Sequence, residues 1–210
     1  MNKKRVFYRI AAILLLVYAF VEYSFIFIYN FASGSFRFNA SSLASLSSSA
    51  VCFILLIVLA VMLLKTKDKP SGVIIIVLAV IPFLTSVVSL VSVYKLAAVP
   101  DLIPTLVLRS VTFLLTLLPG LLLLGAFGRK PVPGFIFAGL FVIPCASSLY
   151  AFLGVAVRFD FVALGKGIMN GITAETAALF SVALNLFGII MYVSLALVCI
   201  GHALSCIKKS

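Results

Sequence analysis

Charge is what this chain has least of. Five of its 210 residues are acidic, 16 are basic, and charged residues make up 10% of the whole. A soluble domain carries about 25%, so a water-exposed fold is excluded. Five stretches, 38–64, 70–94, 110–128, 131–157 and 176–207, hold no Asp, Glu, Lys or Arg. Tryptophan is absent and histidine occurs once, at His202. Neither Gly-x-Ser-x-Gly nor His-Glu-x-x-His is present, so the common hydrolase arrangements have no footing. Asp101 and Asp160 both fall outside the apolar runs, which excludes an intramembrane aspartyl pair. Gly165-Lys166-Gly167 lacks the Gly-x4-Gly-Lys-Ser/Thr of a phosphate loop. The chain is read as a non-enzyme without a cofactor. The four cysteines (52, 145, 199 and 206) fall at different depths and imply no disulfide framework. Cys199, His202 and Cys206 share a helical face, but the two cysteines lie about 10 Å apart along the axis, so one metal cannot take all three. No metal is expected.

What the chain does have is apolar length. A bilayer core of about 30 Å takes roughly 20 apolar residues per helix, and every backbone polar group inside it must pair within its own segment. The runs do not alternate as barrel strands would. The expectation is an all-α integral membrane protein of six transmembrane helices near 7–31, 46–64, 72–94, 108–127, 134–157 and 177–203, forming a single membrane-embedded domain over 1–210. The basic N-terminus is followed by a run too long for a cleaved signal peptide, and it is read as a retained first span.

The connections alternate in charge. Lys3, Lys4, Arg5, Arg9, Lys65, Lys67, Lys69, Arg129, Lys130, Lys208 and Lys209 fall on one side with a single acid, Asp68. Arg37, Lys95, Arg109, Arg158 and Lys166 fall on the other, with Asp101, Asp160 and Glu175. The positive-inside rule makes the first side cytoplasmic, with both termini inside. The formal charge of +11 is thus a topology signal, and nucleic acid is not expected as a partner. The expected location is the cell membrane, crossed several times, with the lipid bilayer as the first partner.

A shift of 62 residues lays span three on span five. Gly72 falls on Gly134, Ile74 on Ile136, Leu78 on Leu140, Val80-Ile81-Pro82 on Val142-Ile143-Pro144, Ser86 on Ser148 and Val93 on Val155. This suggests a parallel repeat of the hairpins formed by spans 2–3 and 4–5, an arrangement met in transporters with sites near the repeat interface. Pro82, Pro119 and Pro144 each remove a backbone donor and are expected to kink their helices.

Glu22 interrupts the first span about 20 Å beyond Arg9 along a helix. An ionisable group at that depth is costly unless paired or hydrated, and is a functional candidate by default. Tyr18 shares its face at i−4, and Arg109, at the start of span four, reaches a similar depth. These three form the expected ligand or proton site, with a structural Glu–Arg pair as the other reading. Span six carries Ala177, Ser181, Asn185 and Gly188 on one stripe. Small residues at that spacing let helices approach closely, and Asn185 can bond across the contact.

The expected function is a small-molecule transporter or the membrane subunit of one. The alternative is a non-transporting accessory or scaffold protein that binds partner membrane proteins. Partner subunits or a second copy are expected in either case. In size, span number and termini the chain resembles the substrate-binding subunits of energy-coupling-factor vitamin transporters, in architecture alone. Their Ala-x-x-x-Ala helix-contact motif is not matched, since Ala12 is followed four residues later by Leu16, and their frequent site tryptophan has no counterpart.

Overall fold

The computed structural model describes residues 3–32, 40–94, 102–128, 130–156 and 174–207. Side chains are described for 3–27, 47–88, 107, 109–128, 130–150, 152–153 and 186–207. Every element among these residues is a helix: α1 (Lys3–Ala32), α2 (Ala40–Leu64), α3 (Asp68–Tyr94), α4 (Leu102–Leu124), α5 (Pro131–Leu140), α6 (Val142–Ala156) and α7 (Ala174–Ile207). Five segments are long and apolar enough to cross a membrane: Lys3–Phe27, Ser47–Leu64, Asp68–Val88, Pro131–Tyr150 and Leu186–Ile207. That is the build of a multi-pass membrane protein. The described apolar part of α4, Arg109–Leu124, is shorter.

The first helix explains the packing. Tyr8, Ala11, Ala12, Leu15, Tyr18 and Ala19 are buried, a stripe at helical spacing. Its other face is just as apolar and lies open: Ile10, Ile13, Val17 and Phe20 are 44–58% exposed. A helix apolar all round belongs in a core or in lipid, and here one side meets protein while the other meets the surroundings.

α7 is the central post, packed on α1, α5 and α6, while α3 pairs with α4 and α2 bridges α1 and α3. The neighbours run antiparallel. Tyr8 near the start of α1 meets Gly201 near the end of α7, and Phe25 meets Phe187 edge-on at 5.5 Å. Bare glycines make the closest approaches. A Cβ on Gly72 would stand 2.8 Å from the Gly120 carbonyl oxygen of α4, and one on Gly134 2.8 Å from the Cys199 carbonyl oxygen of α7. Small residues at such crossings bring backbones into direct van der Waals contact, the main attraction available between helices in lipid.

The two turns at the end of the bundle carrying Lys4, Lys67 and Asp68, termed the basic end, use one device. After α2, Lys67 N–H donates to the Met62 carbonyl (3.0 Å) and Thr66 N–H to that of Leu63 (2.9 Å), with Thr66 at φ 56°. After α4, Ala126 N–H donates to Leu121 and Gly125 N–H to Leu122, both at 3.1 Å, with Gly125 at φ 89°. Both are Schellman caps, closing orphan carbonyls through one left-handed residue.

One expected helix is two. The segment expected at 134–157 is divided at Phe141 into α5 and α6. Pro144 has no N–H for the Leu140 carbonyl, and its ring crowds that carbonyl; α5 ends at Leu140 for this reason. α3 and α4, by contrast, run on through Pro82 and Pro119. Near Pro82, Thr85 Oγ1 donates back to the Ile81 and Pro82 carbonyls at 3.1 and 3.0 Å, the local back-bonding by which Ser and Thr bend a helix.

Candidate functional site

Below the cavity described next, toward the basic end, the bundle is solid. Tyr8, Ala11, Leu59, Leu63, Leu122 and Val198 are buried there in one apolar cluster. Across its base, Asp68 in the first turn of α3 gathers three helices. Lys4 Nζ lies 2.5 Å from its Oδ2, and the Tyr8 hydroxyl donates to its Oδ1 at 2.9 Å. His202 Nδ1 of α7 lies 3.9 Å from Oδ2. The Asp68 carboxylate also offsets the positive N-terminal end of its own helix. Both ring nitrogens of His202 are buried and make no hydrogen bond among the described residues.

Above this layer a cavity of about 460 Å³ opens between the helices. α1 contributes Leu15, Tyr18, Glu22 and Tyr23; α2 contributes Cys52, Leu56 and Leu59. From α3 come Ile75, Leu78, Ala79, Pro82, Phe83 and Ser86, and from α4 Arg109, Thr112, Phe113 and Thr116. Ser148 of α6 and Gly188, Met191, Tyr192 and Leu195 of α7 complete it. The size falls within the range of small-molecule sites, about 300–1,000 Å³, and the mixture of apolar walls with a few polar groups is typical of them.

Glu22 faces this space because it continues the buried stripe of α1 one turn beyond Tyr18. The Tyr18 hydroxyl is in hydrogen-bonding reach of the Glu22 carboxylate. Tyr23 pairs with the Cys52 thiol, and Tyr192 with the Thr112 hydroxyl. Arg109 is exposed and lines the rim. No ion pair within 4.0 Å joins it to Glu22 among the described residues. Phe83 of α3 stacks on Phe113 of α4 at 4.5 Å and 23°, which holds the α3–α4 wall together.

The three residues expected to form a site, Tyr18, Glu22 and Arg109, thus line one cavity although two helices separate them in the chain. Pro82 lines it as well, Pro119 is buried within α4, and Pro144 marks the α5–α6 break. Gly188 faces the cavity, and a Cβ there would meet only Tyr192 Cε2, at 3.8 Å. Ala177, Ser181 and Asn185 fall within α7, and their side chains lie outside the described residues.

Sequence reasoning missed Tyr23, Tyr192, Phe83, Phe113 and Thr112, which look like ordinary residues of apolar helices. One signal was present for two others: Ser86 and Ser148, matched by the 62-residue shift, both line the cavity. The Asp68 cluster was missed too, because charges beside a span read as topology markers alone. No family model, curated protein or solved structure matches the chain.

Proposed function

We propose that this chain is a six-span protein of the cell membrane, with both termini inside, that binds a small molecule in the Glu22 cavity as a transporter or as the membrane subunit of one. The cavity carries the reading. It gathers a carboxylate, a guanidinium and three tyrosines from three different helices into an otherwise apolar bundle. A membrane protein needing only structure has no use for such a space, since unfilled volume and unpaired charge within the membrane both cost stability.

The topology rests on the excess of Lys and Arg at the basic end, taken as cytoplasmic. The cavity then belongs to the outer half, above a packed inner layer. The hairpin repeat is supported by the paired Schellman caps, by the matched glycines Gly72 and Gly134 against neighbouring backbones, and by Ser86 and Ser148 in one cavity.

The test is a thermal-unfolding screen of the purified protein in detergent against pools of small metabolites. Stabilisation by a pool, lost in a Glu22→Gln variant that folds normally, supports the site. Stabilisation only by a co-purified membrane subunit favours the accessory or scaffold reading. For topology, a cysteine placed near Arg37 is expected to react with an impermeant thiol reagent from outside, and one near Lys67 is not; the reverse pattern inverts the protein.

A further inference from the structure

Two opposite charges line the cavity. Glu22 and Arg109 make no ion pair within 4.0 Å among the described residues. Tyr192 lies within electrostatic reach of both groups. Tyr18, Tyr23 and Tyr192 all lie within electrostatic reach of the Glu22 carboxylate. A carboxylate beside phenol hydroxyls in a partly apolar space suits an ammonium group, through Coulomb attraction and hydrogen-bond acceptors. Arg109, by contrast, projects from the helix that carries Thr112 and Phe113 one turn further on. Its guanidinium presents five donors, suited to a carboxylate or phosphate. The stacked Phe83–Phe113 pair supplies flat apolar wall.

We infer that the cavity takes a small zwitterion, its ammonium at Glu22 among the tyrosines, its anionic group at Arg109, and its apolar body against Phe83 and Phe113. This rests on the reading of the cavity as a ligand site. The physical argument is charge balance. A ligand bearing a cation alone leaves the guanidinium uncompensated, and one bearing an anion alone leaves the carboxylate so. Stripping water from a charge is costly unless a partner replaces it. A dipolar ligand satisfies both groups and brings no net charge into the membrane. The cavity volume readily admits a single amino acid.

The experiment uses the full chain purified in detergent, with ligand-dependent shifts in unfolding temperature read as apparent affinities. The probes are a panel of zwitterionic amino acids. Each is matched with its ester, which keeps only the cation, and its N-acetyl form, which keeps only the anion. At least one zwitterion is expected to stabilise the protein, with either single-charge analogue weaker by about 10- to 100-fold, the worth of one charge-assisted hydrogen bond. Glu22→Gln is expected to weaken the zwitterion and remove its advantage over the N-acetyl form, and Arg109→Gln its advantage over the ester. A single-charge analogue binding as tightly as its parent overturns the inference. So does stabilisation by neutral or singly charged compounds alone, an outcome that leaves the cavity a ligand site. No stabilisation by any compound overturns both. The analogue series on the unaltered chain decides the matter even where a variant fails to fold.

Discussion

The close crossing of α3 and α4 is open to a stringent test, because one methyl group tests it. In Gly72→Ala the new Cβ would stand 2.8 Å from the Gly120 carbonyl oxygen and 3.1 Å from both Leu123 Cβ and Leu124 Cγ. A comfortable carbon–oxygen contact is about 3.3 Å or more, so the helices must part by roughly half an ångström. The obstacle is backbone, which cannot swing aside as a side chain can. Overpacking of this kind costs about 1–3 kcal/mol. Gly139→Ala is the control: it lies in α5, and a Cβ there meets nothing within 4 Å. There the substitution is expected to be neutral, or to stabilise by about 0.5–1 kcal/mol through helix propensity alone. The assay is equilibrium unfolding in mixed detergent–SDS micelles followed by helicity. The parting also reaches Phe83 and Phe113 further up the same helix pair, so Gly72→Ala is expected to weaken any cavity ligand as well. Equal stabilities for the two variants would refute the close-packing argument.

Further outcomes follow from the caps and the basic end. Asp68→Ala is expected to cost about 3 kcal/mol, since it strands the part-buried Lys4 and the Tyr8 hydroxyl together. Tyr8→Phe should cost about 1.5 kcal/mol, and the double variant no more than Asp68→Ala alone, because both act on one carboxylate; additive losses in the same unfolding assay would break the cluster apart. Thr66→Gly is expected to stabilise by about 1 kcal/mol by relieving the left-handed backbone at φ 56°, and a loss of stability would deny the Schellman cap after α2. Pro144→Ala restores a donor for the Leu140 carbonyl, so amide exchange across 141–145 should slow by about tenfold or more; unchanged exchange would place the cause of the α5–α6 break elsewhere.

Much of this molecule was legible along the chain. Glu22 stood out because charge inside an apolar run is rare, and its spacing from Tyr18 put both on one helical face. Five of the six expected spans were readable for the same reason, since length and the lack of charge suffice to specify a helix in lipid. The proline positions were legible as well, but not their effects. Pro144 ends a helix whereas Pro82 and Pro119 sit within continuous ones. The aromatic residues around the cavity were illegible, because in so apolar a sequence a tyrosine facing a cavity and one facing lipid look alike.

The linear pattern of charge and hydrophobicity by itself determined that the chain is a set of long apolar helices, for these are local demands that each segment meets alone. Only the tertiary structure decided which faces meet. That Gly72 touches Gly120, that Asp68 ties Lys4 and Tyr8 beneath the bundle, and that Glu22 and Arg109 share a cavity without pairing all depend on which helix lies beside which. Between helices apolar on every side, hydrophobicity favours no neighbour over another. Shape fit between small residues and a few polar contacts make the choice, and both are properties of pairs of surfaces.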